Sequence, residues 1–192
     1  MASPHDARLR RLPRGPRVYL RRPAIEDRDE FLALNRASVR LYRGLATPLV
    51  TRRAFASVIA RAHGTDSVGF FVCRISDDAI VGAVNVSQIV RGAFHSAYMG
   101  YQVFAPFARQ GYMTEAMPLV LQVVFRRLKL HRVEANIQPG NVPSIALVRR
   151  AGFRKEGFSP RYLKIAGRWR DHERWTMLVD DWTQKRSSRS AE

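Results

Sequence analysis

A single cysteine, Cys73, rules out an internal disulfide, and the five histidines, at 5, 63, 95, 131 and 172, keep no spacing that would gather a metal. Neither a disulfide nor a structural metal is expected. Long apolar runs are missing too. The longest, around Ala116 to Phe125, is broken by Pro118 and Gln122, so no segment reads as a transmembrane helix. The opening MASPHDARLRRLPRGPR is basic but has no apolar stretch of the kind a secretory signal needs, which predicts a cytoplasmic protein with no membrane partner. Acidic residues are scarce: 16 stand against 33 basic ones, a formal net charge of +17, and four of the basic residues are lysines. That excess has two readings, a solvated surface enriched in arginine by composition or a surface that meets a phosphate-rich partner such as rRNA, because charge governs association and not fold.

Hydrophobic residues make up 46% of the 192-residue chain and aromatics 10%, enough for a buried core in a single domain. Residues 1–16 are expected to form a flexible basic arm, 17–183 the domain and 184–192 a disordered Ser- and Arg-rich tail. Within the domain, Arg17 to Pro23 alternates as a strand, and Ile25 to Glu30 loads acids onto a first helical turn. A second amphipathic helix follows from Thr51 to Ala62. Three β-rich runs come next, Val68 to Ile75, Ile80 to Val90 and Ala97 to Phe104, then a helix from about Thr114 to Leu128. A strand from His131 to Gln138 precedes a helix from Val142 to Arg150 with Gly152 as its C-cap, and two strands, Phe153 to Ile165 and Trp169 to Val179, end the domain. This order describes a mixed α/β sheet with helices on both faces.

Two segments carry chemistry. In Ala108-Arg-Gln-Gly-Tyr-Met-Thr-Glu-Ala116 a strand passes into a helix, and Gly111 lets a ligand approach backbone N–H groups at the helix start, where an anion fits. In Asn141-Val-Pro-Ser-Ile-Ala-Leu-Val-Arg-Arg-Ala-Gly-Phe153, Asn141 sits at a strand end where its amide can bond an extended ligand, Pro143 suits an early helical position, and Ser144 faces back from the first turn. A helix N-cap explains Asn141 or Ser144 singly, and the two segments together less well.

With both segments in this order the sequence resembles the GNAT superfamily of acetyl-CoA-dependent N-acetyltransferases, whose phosphate loop has the form (Q/R)xxGx(G/A) and whose next motif is N-x-x-S before a helix ending in GF. More narrowly it is similar to the ribosomal-protein-alanine N-acetyltransferases of the RimJ/RimL type, through His131-Arg132, Ala135-Asn136, Pro139, Asn141, Ser144, Gly152-Phe153, Glu156-Gly157, Tyr162-Leu163 and Trp169-Arg-Asp-His172. The resemblance spans about residues 17–182. It departs at Ala108 and Met113 in the loop, at Val148 where other members have a tyrosine, and at Arg161 where relatives often place a carboxylate.

The resemblance implies a mostly antiparallel sheet of about seven strands with a splayed parallel pair, Ala97 to Phe104 and His131 to Gln138, holding acetyl-CoA. Pantetheine would pair with backbone near Val103, whose N–H is also the expected oxyanion donor. Amides of Arg109, Gln110, Gly111, Tyr112, Met113 and Thr114 would hold the pyrophosphate without a metal, Arg109 or Arg150 would meet the 3′-phosphate, and Asn141 and Ser144 would line the cofactor. Ser144 is the expected acid for the leaving thiolate, and Asn136, Asp171 or Glu173 would order a water that serves the amine. Glu115 is expected to be structural, His95 and His172 are secondary candidates, and Tyr98, Tyr101 and Tyr162 read first as sheet packing, with a phenol near the acetyl group as the alternative for any of them. The implied reaction is direct acetyl transfer to a primary amine, foremost the N-terminal α-amine of a ribosomal protein, by a monomer or homodimer. A small-molecule amine acceptor, or a basic RNA- or ribosome-associated protein with a non-catalytic CoA pocket, are the alternative readings.

Overall fold

Alternation sets the first strand: Val18 and Leu20 are buried while Tyr19 and Arg21 between them are half exposed, giving β1, Val18–Arg21. A computed structural model describes residues 12–189, with side chains described as far as Gln184. The elements that follow are α1, Arg28–Ala37, α2, Arg52–Ala62, β2, Val68–Arg74, β3, Ile80–Val90, and β4, Ser96–Val103. Then come α3, Tyr112–Gln122, β5, Arg132–Ile137, α4, Val142–Ala151, β6, Arg154–Ile165, β7, Arg168–Leu178, and α5, Val179–Arg189.

The strands form one seven-stranded sheet in the order β1-β2-β3-β4-β5-β7-β6. Neighbours are antiparallel except β4 and β5, which run parallel, so the mixed sheet with a parallel pair is as expected. Period-two alternation splits each strand between two cores. Phe71 and Cys73 of β2 join Phe31 of α1 and Phe55 of α2 on one face, which we call the front. Phe70 and Val72 meet Met117 and Val120 of α3, Val148 of α4 and Trp182 of α5 on the back. Each fully buried aromatic or aliphatic side chain contributes roughly 1.5–3 kcal/mol, which is why both faces need a helical layer.

Local signals place the helix ends. Thr51 caps α2 by accepting from the Ala54 N–H at 3.1 Å. Gly152 ends α4 at φ 104°, a left-handed conformation that favours glycine. The helix expected to reach Leu128 changes character after Gln122: residues 123–127 are π-helical, and the Leu128 N–H bonds Val123 O five residues back.

Two expected boundaries need correction. Residues 184–189 are not a disordered tail but the second half of α5. That helix was signalled by Asp180 and Asp181 in its first turn and by Trp182, which packs 5.3 Å from the Phe125 ring. The described part of the expected flexible arm, residues 12–16, is tied down, with Gly15 N–H on Val18 O, Leu20 N–H on Pro13 O and Leu12 against the back core. Residues 1–11 and 190–192 lie outside the described residues.

Glu115 joins the start of the sheet to the start of α3. Its Oε1 accepts from the Arg17 and Val18 N–H groups at 2.6 and 3.1 Å, and its Oε2 from Arg17 Nε at 3.0 Å. Burial pushes the carboxyl up, but the hydrogen bonds from Arg17 and Val18 outweigh that and hold it below the usual carboxylate range. Glu115→Gln is expected to lower unfolding free energy by about 1–3 kcal/mol in urea titrations at neutral pH. Because the folded pKa is depressed, the gap between wild type and variant should be full above the ordinary value of 4.5 and close as pH falls through the lower folded value.

Candidate functional site

The ladder between β4 and β5 is short. It pairs Ser96 with Arg132, Ala97 with Val133 and Tyr98 with Glu134, and beyond Tyr98 the strands part. Phe104 N–H bonds Val81 O at 3.0 Å, so even-numbered residues of this stretch face β3. By alternation, the N–H and C=O groups of Met99, Tyr101 and Val103 turn into the gap toward β5. A cavity of about 140 Å³ occupies it, lined by Tyr42, Met99, Tyr101, Asn136, Ser144 and His172 among others.

The loop between α1 and α2 closes one side of the gap. The Tyr42 hydroxyl donates to Val103 O and accepts from Val103 N–H, both at 2.9 Å. Gln138 Nε2 holds the same loop by donating to Gly44 O and Leu45 O at 3.1 and 3.2 Å. This corrects the role expected of Val103: its N–H is engaged by Tyr42, and the next gap-facing N–H on β4 belongs to Tyr101.

On the back side of the gap, Ser144 Oγ lies 2.6 Å from the Tyr101 hydroxyl. Burial pushes the Tyr101 phenol up to about 12, with the Ser144 contact working the other way. Asn141 lines the same cavity. Its Oδ1 accepts from the Ser144 N–H at 3.3 Å and caps α4. Asn136 Oδ1 is buried and has no hydrogen-bond partner among the described residues.

The loop before α3 is a separate feature on the same side of the sheet as that helix. Arg109 at φ 63° and Gly111 at φ 82° turn the chain sharply into α3. Glu115 N–H reaches Gly111 O at 3.1 Å, so the N–H groups of Tyr112, Met113 and Thr114 are the orphan donors of the helix start. Gly111 caps without a side chain that would compete for them. Tyr112 and Met113 bury their side chains in the back core and offer backbone alone, whereas Arg109, Gln110 and Thr114 are exposed. Arg17 braces the turn, donating to Gln110 O at 3.2 Å with its guanidinium 5.0 Å from the centre of the Tyr112 ring. Thr114 and Arg150 meet across a cavity of about 220 Å³ between α3 and α4, walled by Met117, Pro118 and Leu147.

The carboxylates expected to serve the amine are elsewhere. Asp171 is exposed and accepts from the Arg161 N–H at 2.7 Å, within the β6–β7 hairpin. Glu173 pairs with Lys155 and accepts from Trp175 Nε1 at 3.0 Å. Both lie on alternate β7 positions from His172, the residue that does line the gap. His172 Nδ1 is 2.9 Å from Arg170 O, and its ring is 6.0 Å from that of Tyr162, whose hydroxyl is 3.4 Å from that of Tyr98. His95 bonds Gly92 O in the turn before β4. Among the described residues no three His, Cys, Asp or Glu side chains gather as a metal site. Tyr42 was missed by sequence reasoning because it sits in an irregular loop, and Tyr101 was read as sheet packing because nothing local marks its partner 43 residues on.

A parted parallel strand pair beside a glycine-started helix is the arrangement that the resemblance to acetyltransferases implies. Residues 17–154 match the acetyltransferase (GNAT) domain, and the chain belongs to that family. It is 40% identical over 135 residues to the ribosomal protein uS5-alanine N-acetyltransferase of Escherichia coli, covering 70% of each chain. It is 32% identical over 176 residues to the probable N-acetyltransferase YjcK of Bacillus subtilis, covering 88% of this chain and 97% of that one. Among solved structures, Mycobacterium smegmatis RimJ in complex with CoA-disulfide superposes with a TM-score of 0.78 at 27% identity, over 85% of this chain and 83% of that one.

Tyr42 is the fastening of the loop that closes the gap. Tyr42→Phe leaves the Val103 N–H and C=O without their partner, and is expected to lower unfolding free energy by about 1–3 kcal/mol, read from urea titration.

Proposed function

We propose that this chain transfers the acetyl group of acetyl-CoA directly to the N-terminal α-amine of a ribosomal protein. The observation that carries the reading is the buried Asn136 Oδ1, an acceptor with no protein donor, in the gap beside the Tyr101–Ser144 pair. An incoming amine N–H supplies the missing donor. The named activity of the Escherichia coli relative supports the choice of a ribosomal-protein α-amine.

In this reading the orphan N–H groups of Tyr112, Met113 and Thr114, with the backbone of Arg109, Gln110 and Gly111 in the turn before them, receive the pyrophosphate, and Arg109 or Arg150 meets the 3′-phosphate. Pantetheine lies in the gap alongside Met99, Tyr101 and Val103, with Asn141 and Ser144 at the start of α4. The Tyr101 N–H is then the donor available to a developing oxyanion, since Tyr42 holds that of Val103.

Magnitudes decide how protons move. An α-amine with pKa about 7.7–8.0 is roughly 10–20% neutral at pH 7, whereas a lysine near 10.4 is below about 0.1%, so an α-amine can attack without a strong base. The absence of Asp171 and Glu173 from the gap is compatible with that acceptor. On the leaving side, burial pushes the Tyr101 phenol up to about 12, well above a thiol near about 8.5, so full proton transfer from it to the thiolate is unfavourable. The Tyr101–Ser144 pair therefore steadies the departing sulfur by hydrogen bonding, and the thiolate takes its proton from solvent.

Calorimetric titration of acetyl-CoA checks the cofactor site. Gly111→Glu is expected to weaken binding by at least about a hundredfold, since like charge facing phosphate costs several kcal/mol. Gly111→Ala, which adds strain at φ 82° without charge, should weaken it by less than about tenfold. The acceptor is checked with a synthetic peptide carrying both a free N-terminus and an internal lysine. Mass spectrometry should find acetyl on the α-amine, and the subsaturating rate should rise with pH and level off near about 8. A rate that keeps climbing toward the lysine range, with acetyl on the side chain, would overturn the assignment.

A further inference from the structure

At the level of the gap, the front face of the sheet carries a row of small residues. Register places Gly69 of β2 opposite Asn85 of β3, and Asn85 opposite Gly100 of β4. Across the parted strands the row resumes with Asn136 of β5, Arg174 of β7 and Gly157 of β6. Between Gly69 and Asn136 the one side chain on the row is that of Asn85, and it lies over β4: a Cβ at Gly100 would come within 2.6 Å of its Oδ1. The floor is therefore low on the β3 side. On the β7 side it is filled by Arg174, which lies across Gly157 so closely that a Cβ there would come within 2.5 Å of its Nη2.

Both flanks of the row are occupied where it passes the gap. Tyr98, two positions before Gly100, meets Tyr162 with the hydroxyls 3.4 Å apart. Gln138, two positions after Asn136, holds the Gly44 and Leu45 carbonyls on the other flank. The way out is toward β3, where a cavity of about 320 Å³ lies between α2 and the sheet. Its volume is that of a small-ligand pocket, and it shares Gly100 and Tyr101 with the cavity of the gap. Ala62 of α2 closes the far end, since a Cβ at Gly69 would come within 2.8 Å of the Ala62 Cβ. Among the described residues that line the cavity Arg61 alone is charged, and Arg61 and Asn85 are both exposed, so the mouth lies between them.

We propose that this trough takes the first residues of the acceptor peptide, with the α-amine at Asn136, the backbone passing over Gly100 to the Asn85 amide, and the chain leaving past Arg61. The proposal rests on the reading of the acceptor as a protein N-terminus and adds a specificity to it, for acidic residues early in the peptide. Two strand spacings, about 10 Å, separate Asn136 from Asn85, and an extended chain advances about 3.3–3.6 Å per residue. The third residue therefore reaches Asn85, and the fourth or fifth meets Arg61. A side-chain amide suits a peptide unit, because it donates to the C=O and accepts from the N–H. Glycines along the floor let two backbones approach closely. An acidic side chain at the mouth pairs with Arg61, whereas a basic one meets like charge.

The test is steady-state acetylation by the full-length protein at saturating acetyl-CoA, with three acceptors. One is alaninamide, and the others are pentapeptides beginning with alanine and carrying either glutamate or arginine at positions four and five. Wild type should show a KM for the glutamate peptide about tenfold below that for alaninamide, as one or two added hydrogen bonds provide. It should favour the glutamate over the arginine peptide by about three- to fivefold, a preference that shrinks in high salt. Asn85→Ala should raise the KM of both peptides about fivefold, a loss carried by KM and not by kcat, and should leave that of alaninamide where it was. Arg61→Glu should reverse the order of the two peptides. Arg53→Glu, exposed on the same helix but outside the cavity, makes the same change of charge and should keep the wild-type order. Acetyl-CoA titration of each variant reports that the domain is folded. Equal KM values for the three acceptors, or an unchanged peptide order in Arg61→Glu, overturn the trough and leave the α-amine assignment standing. Acetylation of none of the three overturns both, so the two failures are told apart.

Discussion

The parting of β4 and β5 after Tyr98 is the constraint on which the site depends. Two parallel strands that stop pairing leave their inner N–H and C=O groups without partners, and such groups are costly to bury. The chain meets this cost in part. Tyr42 comes across from the loop after α1 and satisfies both backbone groups of Val103 with one hydroxyl. Gln138 then fastens that loop by its Gly44 and Leu45 carbonyls. What stays open lies deeper, at Met99, Tyr101 and Asn136, where the proposed acetyl transfer would take place.

A second constraint acts at the start of α3, whose first N–H groups must be kept from internal partners if they are to meet an anion. Glu115 sits one turn into the helix and would be the obvious carboxylate to repel one. Its oxygens are instead committed to Arg17 and Val18. Arg17 also spans to Gln110 O and covers Tyr112, so a single arginine neutralises the carboxylate and braces the turn. The departures from the family motif at Ala108 and Met113 are mild in this light, because the turn uses backbone, and Met113 faces the core beside Gly82.

Much of this was legible because it rests on local pattern. Alternation marked the strands, Gly152 the end of α4, and the glycine before α3 the orphan donors. The parts that were not legible depend on partners distant in sequence. The Tyr101 hydroxyl meets Ser144 Oγ, a partner 43 residues on that no local pattern marks. Asp171 was read as a carboxylate near the amine, but a left-handed Arg161 at φ 49° bends β6 so that its N–H captures Asp171 on the far side of the hairpin. The final helix had its sequence signal in Asp180 and Asp181, outweighed by the charge and serine content that follow.

The loss of carboxylates from the gap also bears on which amine fits. The β7 residue that lines the gap is His172, with no carboxylate among the lining residues, and surroundings that do not stabilise a positive charge favour an amine's neutral form. For an α-amine the benefit has a ceiling: from roughly 10–20% neutral, complete deprotonation raises the reactive fraction by about 5–10-fold. Modest electrostatics suffice for that. A lysine side chain would need its pKa lowered by more than about 3 units to reach the same state, which requires deep burial or a dedicated base. A gap that offers Asn136 as an acceptor, no carboxylate among its lining residues and a phenol held near 12 is therefore compatible with the weakly basic amine proposed as its acceptor.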